Sequence, residues 1–373
     1  MAKLRQMEEK MIEETLLISS PGRICLFGEH QDYLNLPVVA AAISLRFYVS
    51  GKPRKSRDFL IHLPDIGEEE RIVPESELPY QKDRDYLRST FNLLLRLGCE
   101  FKNGWECTLR GEIPINAGTS SSSAMVVAWT RFLLEICSRT DLAPSPGAVA
   151  ELAHQAEVVE FREPGGKMDH YTSALGGVLW IQFAGELKIT RLRADLGSFV
   201  LGDSLEKKNT TGLLGSVRER VQTGLEIIKK KLPDLDLQTL SEAEILKFSQ
   251  DLPPEIKSPL CGAVLNREIT REGLKLFQQK NFDHQEFGRL LTEHQKVLRE
   301  LVGISTPKID QMLQAALENG ALGGKINGSG GGGCMFAYAP ENAEGVARAI
   351  EKVGGRAYLV RVDRGLSLER RKF

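Results

Sequence analysis

Between residues 328 and 334 the chain reads GSGGGGC, five glycines in seven positions, directly ahead of the apolar run MFAYA. Glycine loses more conformational freedom on ordering than any other residue, so a cluster this dense destabilises a fold unless backbone geometry demands it. A flexible hinge or a hairpin turn would tolerate the glycines. A hinge, however, does not need a strand held so tightly against it, and close approach of bare backbone to a charged ligand is the better account.

A second loop makes a related demand. PINAGTSSSSA, from Pro114 to Ala124, runs straight into an apolar helix that continues to about Cys137. The start of a helix leaves N–H groups unpaired and carries partial positive charge, so it favours an anion. Gly118 would let backbone approach a phosphate, and the hydroxyls add donors and a possible Mg²⁺ ligand. One serine would suffice to cap the helix; Ser120 to Ser123 supply four. The loop does not end in GKS or GKT, so it is not a Walker A loop.

Two further stretches place titratable groups where apolar ones would be cheaper. SPGRICLFGEHQDYLNLPVVAAAI, residues 20–43, sets Glu29, His30 and Asp32 inside a strand-like apolar run. Such groups are costly to bury unless something uses them. They are either a solvated turn between strands or a binding loop. In EPGGKMDHYTSALGG, residues 163–177, Asp169 lies between two glycine pairs with Lys167 and His170 beside it. It reads as a turn residue or as one of several carboxylates, with Glu157 on the preceding helix, that converge on a phosphate. Carboxylates so placed suit metal binding and proton abstraction from an alcohol.

At 373 residues the chain fits two domains or one large α/β unit. Its 49 basic and 50 acidic side chains nearly cancel, and the longest basic block is KKK at 229–231. That argues against a nucleic-acid surface but not against a local anion site. Cys25, Cys99, Cys107, Cys137, Cys261 and Cys334 show no CxxC and no metal-ligand spacing. A reducing, cytoplasmic setting is the simplest expectation. The start lacks the apolar core and cleavage site of a signal peptide, and no run approaches ~18 uninterrupted apolar residues, so no membrane partner is expected.

The pattern along the chain is α+β. A charged extension covers residues 1–14. Strands are expected through 15–51, at 59–63 and at 105–110, with a helix over 84–97 that stops at Gly98. A helix over 147–161 precedes a double-glycine turn into a strand within 173–183. After a strand at 198–202 and a helix at 211–231, the chain to about 320 is mostly helical. The glycine loop, a strand, a helix and a last strand follow. The halves meet near residue 195, which predicts domains at 1–195 and 196–373.

The stretches at 20–43, 114–124 and 328–334, in this order along the chain, resemble the motifs of the GHMP kinase superfamily, which includes galactokinase, homoserine kinase and mevalonate kinase. The first is most similar to galactokinase, matched by Gly22, Arg23, Leu26, Gly28, Glu29, His30, Asp32 and Tyr33, with Cys25 where galactokinases have asparagine. The resemblance implies an S5-like N-terminal domain and a ferredoxin-like C-terminal domain, with ATP and substrate between them. It also implies that Gly118, Thr119, Ser120, Ser121, Ser122 and Ser123 cradle the ATP phosphates and that Ser122 and Glu157 hold Mg²⁺. Asp169 would be the catalytic aspartate and Arg23 its partner. Glu29, His30, Asp32, Tyr33 and Gly330 would bind a sugar, phosphorylated at its anomeric hydroxyl. Residues 203–220 are instead similar to mevalonate kinase, and no tyrosine occurs between Tyr171 and Tyr338 to supply the sugar contact that galactokinases place there. A mevalonate-type kinase and a non-catalytic sugar and ATP sensor are the alternatives.

Overall fold

Strand β1 (Glu14–Phe27) contains Pro21 and Gly22 in its middle. Proline gives no N–H to a neighbouring strand, and the pairing of β1 with β2 (Val38–Arg54) slips register between Pro21 and Arg23. A Cβ on Gly22 would lie 2.9 Å from the Thr119 carbonyl oxygen, so no other residue fits there. The bulge presses β1 onto the serine loop, where the Arg23 N–H donates to that same carbonyl at 3.2 Å. Pro-Gly-Arg thus aims an arginine.

Beyond the bulge, β1 and β2 are buried on both faces. Cys25, Val38 and Ala40 point into one core, while Ile24, Leu26, Val39, Ala41 and Ile43 point into another. That is why the stretch reads as continuous apolar sequence and not as strict alternation.

The computed structural model describes residues 14–372, except 116, 140–141, 143–144 and 207–209. The extension read at residues 1–14 therefore falls almost wholly outside it. The chain continues with β3 (Phe59–Leu63), β4 (Glu68–Ile72), α1 (Tyr86–Arg96), β5 (Gly104–Gly111), α2 (Ser121–Ile136), α3 (Pro146–His154), α4 (Met168–Leu175), β6 (Val178–Gln182) and β7 (Lys188–Leu192). Then come β8 (Ser198–Asp203), α5 (Thr210–Lys229), α6 (Glu242–Phe248), α7 (Pro254–Leu276), α8 (His284–Val297), α9 (Pro307–Glu318), β9 (Gly323–Ile326), β10 (Cys334–Tyr338), α10 (Ala343–Lys352), β11 (Arg356–Arg361) and β12 (Ser367–Lys372). None of the described helices is long and apolar enough to cross a membrane.

An eight-stranded sheet runs β12-β1-β2-β5-β3-β4, with β6 on β2 and β7 on β6. A four-stranded antiparallel sheet, β11-β8-β10-β9, forms the second layer. The chain end does not stay with that second sheet: β12 returns to pair with β1, Ser19 opposite Ser367.

Strands at 59–63 and 105–110 and the helix ending before Gly98 match the sequence pattern. Asp85 caps that helix by accepting from the Arg88 N–H, and Gly98 adopts φ +81°. The pattern does not reveal β4 or β12. Both are sheet edges rich in charge (EEERI and SLERRK), which protects an edge but hides the alternation. It also does not reveal α4. Asp169 sits in the first turn of this helix, where the peptide dipoles favour a carboxylate, and not in a turn between glycines.

Candidate active site

One side chain ties the three loops together. Asn327, just ahead of the glycine loop, accepts from the Cys25 N–H at 2.9 Å and donates to the Gly118 carbonyl at 2.8 Å. The glycines that follow exist largely because other backbone lies against them. A Cβ on Gly328 would meet the Gly118 oxygen at 2.6 Å, and one on Gly333 the Ala117 oxygen at 2.7 Å. The demand read from the sequence as a ligand's is made first by the serine loop itself. Gly330 packs on Ile304, 2.4 Å from where its Cβ would stand, and is not among the cleft-lining residues.

The loops line a cleft, and Arg23 and Asp169 pair in its wall. Arg23 Nε and Nη2 donate to the two carboxylate oxygens of Asp169 at 2.8 and 3.1 Å, and Nη1 donates to the Gly118 carbonyl at 2.5 Å. Burial is the largest influence on Asp169 and works against its charge, but the Arg23 guanidinium and smaller favourable contributions from its neighbours together outweigh it and hold the carboxyl below its usual range. Asp32 behaves in the opposite way. Burial, then the nearby Asp169 charge, push its pKa up from 3.8 to about 6. Gly166 makes room for it, since a Cβ there would lie 2.1 Å from Asp32 Oδ2. Two neighbouring carboxyls are thereby driven apart, so that Asp32 takes up a proton at a higher pH than Asp169 does.

Next to them, His30 takes a left-handed backbone conformation (φ 62°) that L-residues adopt only when the surroundings enforce it. Its Nε2 lies 3.1 Å from the Ser329 carbonyl, which can only accept, so Nε2 carries the hydrogen. In the neutral ring Nδ1 then accepts from the Tyr33 hydroxyl at 2.8 Å. Glu29 lines the cleft too, but its carboxylate is engaged. Lys325 Nζ, fully buried, donates to Glu29 Oε2 at 2.8 Å, to the Cys25 carbonyl at 2.9 Å and to the Ile326 carbonyl at 2.8 Å. All three ammonium hydrogens are used.

Residues 85–177 match the GHMP kinases N terminal domain, 274–356 the GHMP kinases C terminal domain, and 8–53 the galactokinase galactose-binding signature. A mevalonate kinase of Thermococcus sibiricus is 30% identical over 367 residues, covering 95% of this chain and 98% of that protein. The chain belongs to the GHMP kinase family. A galactokinase of Mannheimia succiniciproducens is 26% identical over 346 residues, covering 90% of this chain and 88% of the relative. Among solved structures, Lactococcus lactis galactokinase complexed with galactose superposes with a TM-score of 0.81 at 21% identity, over 98% of this chain and 99% of that one. Methanococcus jannaschii mevalonate kinase gives 0.69 at 19% identity, over 93% and 98%. The fold is the two-domain α+β fold of GHMP kinases, and the chain is a phosphotransferase.

The GHMP motifs fit ATP on their own geometry. Ser120 is held at φ 61°, and its hydroxyl makes no capping bond, so the capping role that one serine could play is not filled. Gly118 and Ser120 to Ser123 line the cleft at the start of α2, whereas Thr119 is buried beneath it. Ser122 and Glu157 line the same cleft and offer a hydroxyl and a carboxylate, hard oxygens of the kind Mg²⁺ takes. Glu157 lies in a widened turn of helix, Gln155–Val159, of the sort that recurs at functional sites, and bonds His170 Nε2 at 2.7 Å. Phe47, Leu63, Leu109, Ile115 and Met125 add an apolar part to the lining.

Of the residues named from the sequence, Arg23, Glu29, His30, Asp32, Tyr33, Asp169, Glu157, Gly118 and Ser120 to Ser123 meet in this one cleft. Lys325, Asn327 and the apolar part of the lining were not foreseen. For Lys325 a signal was present: a lysine inside the strand that opens the glycine loop.

Proposed function

We propose that this GHMP kinase uses MgATP to phosphorylate the anomeric hydroxyl of a sugar, galactose, a uronic acid or a related compound. The observation that carries this reading is the bidentate Arg23–Asp169 pair, open to the cleft beside His30, Asp32 and Tyr33. Adjacent polar side chains of this kind suit neighbouring hydroxyls, because each unmatched buried group costs on the order of 1–3 kcal/mol. The anomeric oxygen, its proton passing to the ionised Asp169, bonds to the γ-phosphorus as the bond from phosphorus to the ADP oxygen breaks. Arg23 keeps Asp169 ionised and offsets charge on the transferred group. The N–H groups at the start of α2 hold the phosphates, and Ser122 and Glu157 would hold Mg²⁺, which supplies countercharge to them.

A mevalonate-type kinase is the second reading, favoured by the 30% identity to a mevalonate kinase. A sensor that binds ATP and sugar without turnover is the alternative from another class, and retention of Arg23, Asp169 and the serine loop argues against it. ADP release measured against galactose, galacturonate, glucuronate, arabinose, N-acetylgalactosamine and mevalonate separates the three, with phosphorus NMR to locate the transferred group. A response to mevalonate alone would sink the sugar reading. ATP binding without turnover of any acceptor would favour the sensor.

A further inference from the structure

The ends of α1 and α2 lie side by side, and a thiol stands on each. After Gly98 turns the chain at φ +81°, the Cys99 N–H donates back to the Leu94 carbonyl at 3.0 Å. Cys137 closes α2, its N–H donating to the Leu133 carbonyl at 3.0 Å. Two helix terminations therefore fix the backbone under both side chains. Between them the Cys99 thiol donates to Cys137 Sγ at 3.3 Å. The two residues are 2% and 8% exposed, and neither lines the cleft.

Hydrogen bonds also hold the two turns to each other. The Ser138 N–H donates to the Glu100 carbonyl and the Glu100 N–H to Ser138 Oγ, both at 3.0 Å, and Arg139 Nη1 donates to the Leu97 carbonyl at 2.7 Å. A bond between two sulfurs is about 2.05 Å long and strict in its dihedral angle, so it forms only where the backbone already holds both cysteines close. Here the sulfurs need to approach by only about 1 Å, within the reach of side-chain rotation. Cys25 and Cys107 differ. Burial pushes their thiols well up, which keeps them from the thiolate form that oxidation requires.

We propose that Cys99 and Cys137 are an oxidation site, a thiol pair that a peroxide converts to an internal disulfide, stiffening the N-terminal half and leaving the cleft as it is. Cys137 is the more exposed of the two and reacts first. Its sulfur, having lost a proton, bonds to one peroxide oxygen as the O–O bond breaks, and the other oxygen leaves as water with that proton. The Cys99 sulfur then bonds to the Cys137 sulfur, and the oxygen there leaves with the Cys99 proton as a second water. Two thiols lose two electrons in all, and one hydrogen peroxide is reduced to two waters. The bond spans 38 positions of sequence, and closing a long loop restricts the unfolded chain strongly. The 16 residues of α2 put roughly 24 Å between this end and the serine loop, so the cleft is left alone. Under reducing conditions the pair remains two thiols.

The test treats the full-length chain with a slight molar excess of hydrogen peroxide, unfolds it with an alkylating reagent present, and maps the peptides by mass spectrometry. Four of the six cysteines should take the label, and one peptide pair should be joined through Cys99 and Cys137. Dithiothreitol should restore the two missing labels. The Tm of the oxidised chain should rise by several degrees over the reduced chain, while its affinity for ATP, read by calorimetric titration, should be unchanged. Cys99→Ser and Cys137→Ser should each form no cross-link and show no rise in Tm. Labelling of all six cysteines after peroxide, a cross-link between other cysteines, or sulfinic acid at Cys137 without a cross-link overturns the proposal. So does a Cys99–Cys137 bond that lowers Tm or weakens ATP binding relative to the reduced chain.

Discussion

Two ion pairs stand within the same set of loops, each 2.8 Å long, and they differ in access to the cleft. The side chains of Lys325 and Glu29 are 0% and 2% exposed, those of Arg23 and Asp169 5% and 28%. In the sealed pair the protein uses every hydrogen of the ammonium group, so it has little left to offer a ligand. In the open pair the guanidinium gives one hydrogen from each nitrogen to Asp169 and Gly118 and keeps others, and the carboxylate remains within reach of solvent. Under the proposed function, the same charge chemistry serves as a clamp in one place and as a reacting group in the other. Burial makes the difference.

Removing the open carboxylate should have the largest effect. Asp169→Asn is expected to lower kcat by about 10²–10⁴-fold, the usual range for loss of a proton acceptor, with nucleotide binding largely retained. Steady-state ADP release and a nucleotide titration measure the two halves of that statement. Activity within a few-fold of the unaltered chain would end the distinction drawn between the pairs.

The sealed pair should fail differently. Lys325→Met leaves Glu29 charged and buried, which costs about 3–5 kcal/mol of stability. Adding Glu29→Gln removes the stranded charge and should restore much of the loss in denaturant unfolding. A double variant no more stable than the single one would show that Lys325 matters for something other than Glu29.

Asn327 lies between the two pairs, and Asn327→Ala should cost about 1–3 kcal/mol by stranding the Cys25 N–H. Equilibrium unfolding reads this directly, and no loss would mean that the loops are joined by other contacts.

The smallest effect concerns Asp32. Its folded pKa of about 6 lies above its ordinary 3.8, so the folded chain holds a proton that the unfolded chain releases between those values. The stability linked to that proton is fully present below about pH 4 and is lost as pH rises to about 6. Asp32→Asn carries no charge to bury. Its Tm relative to the unaltered chain should therefore be a few degrees higher at pH 7 than at pH 4. For Asp169, whose carboxyl is held low, the sign reverses: its contribution is present at neutral pH and fades in acid. A pH-independent gap for Asp32→Asn would mean that Asp32 is ionised like any exposed carboxylate.

Much of this site is legible in the chain because its parts are local. Four serines before an apolar helix, five glycines before a strand, and Pro-Gly-Arg within a strand each impose their geometry over a few residues. The α4 helix was hidden because its eight residues lie between glycine pairs that read as turns. The edge strands β4 and β12 were hidden because charge replaces apolar alternation along them. Cys25, a departure from the galactokinase motif, turns out to take part through its backbone, whose N–H and carbonyl bond Asn327 and Lys325.

By itself the sequence determined the loops, their order and the reactive groups they carry, since glycine density, helix starts and bulges follow from neighbouring residues. Only the tertiary structure decided which carboxylate stays exposed. Glu29 and Asp169 look alike as residues, but one meets Lys325 from 296 positions away and the other meets Arg23 from 146. Ionisation and availability depend on partners, water and burial, and those are set by what folding brings near.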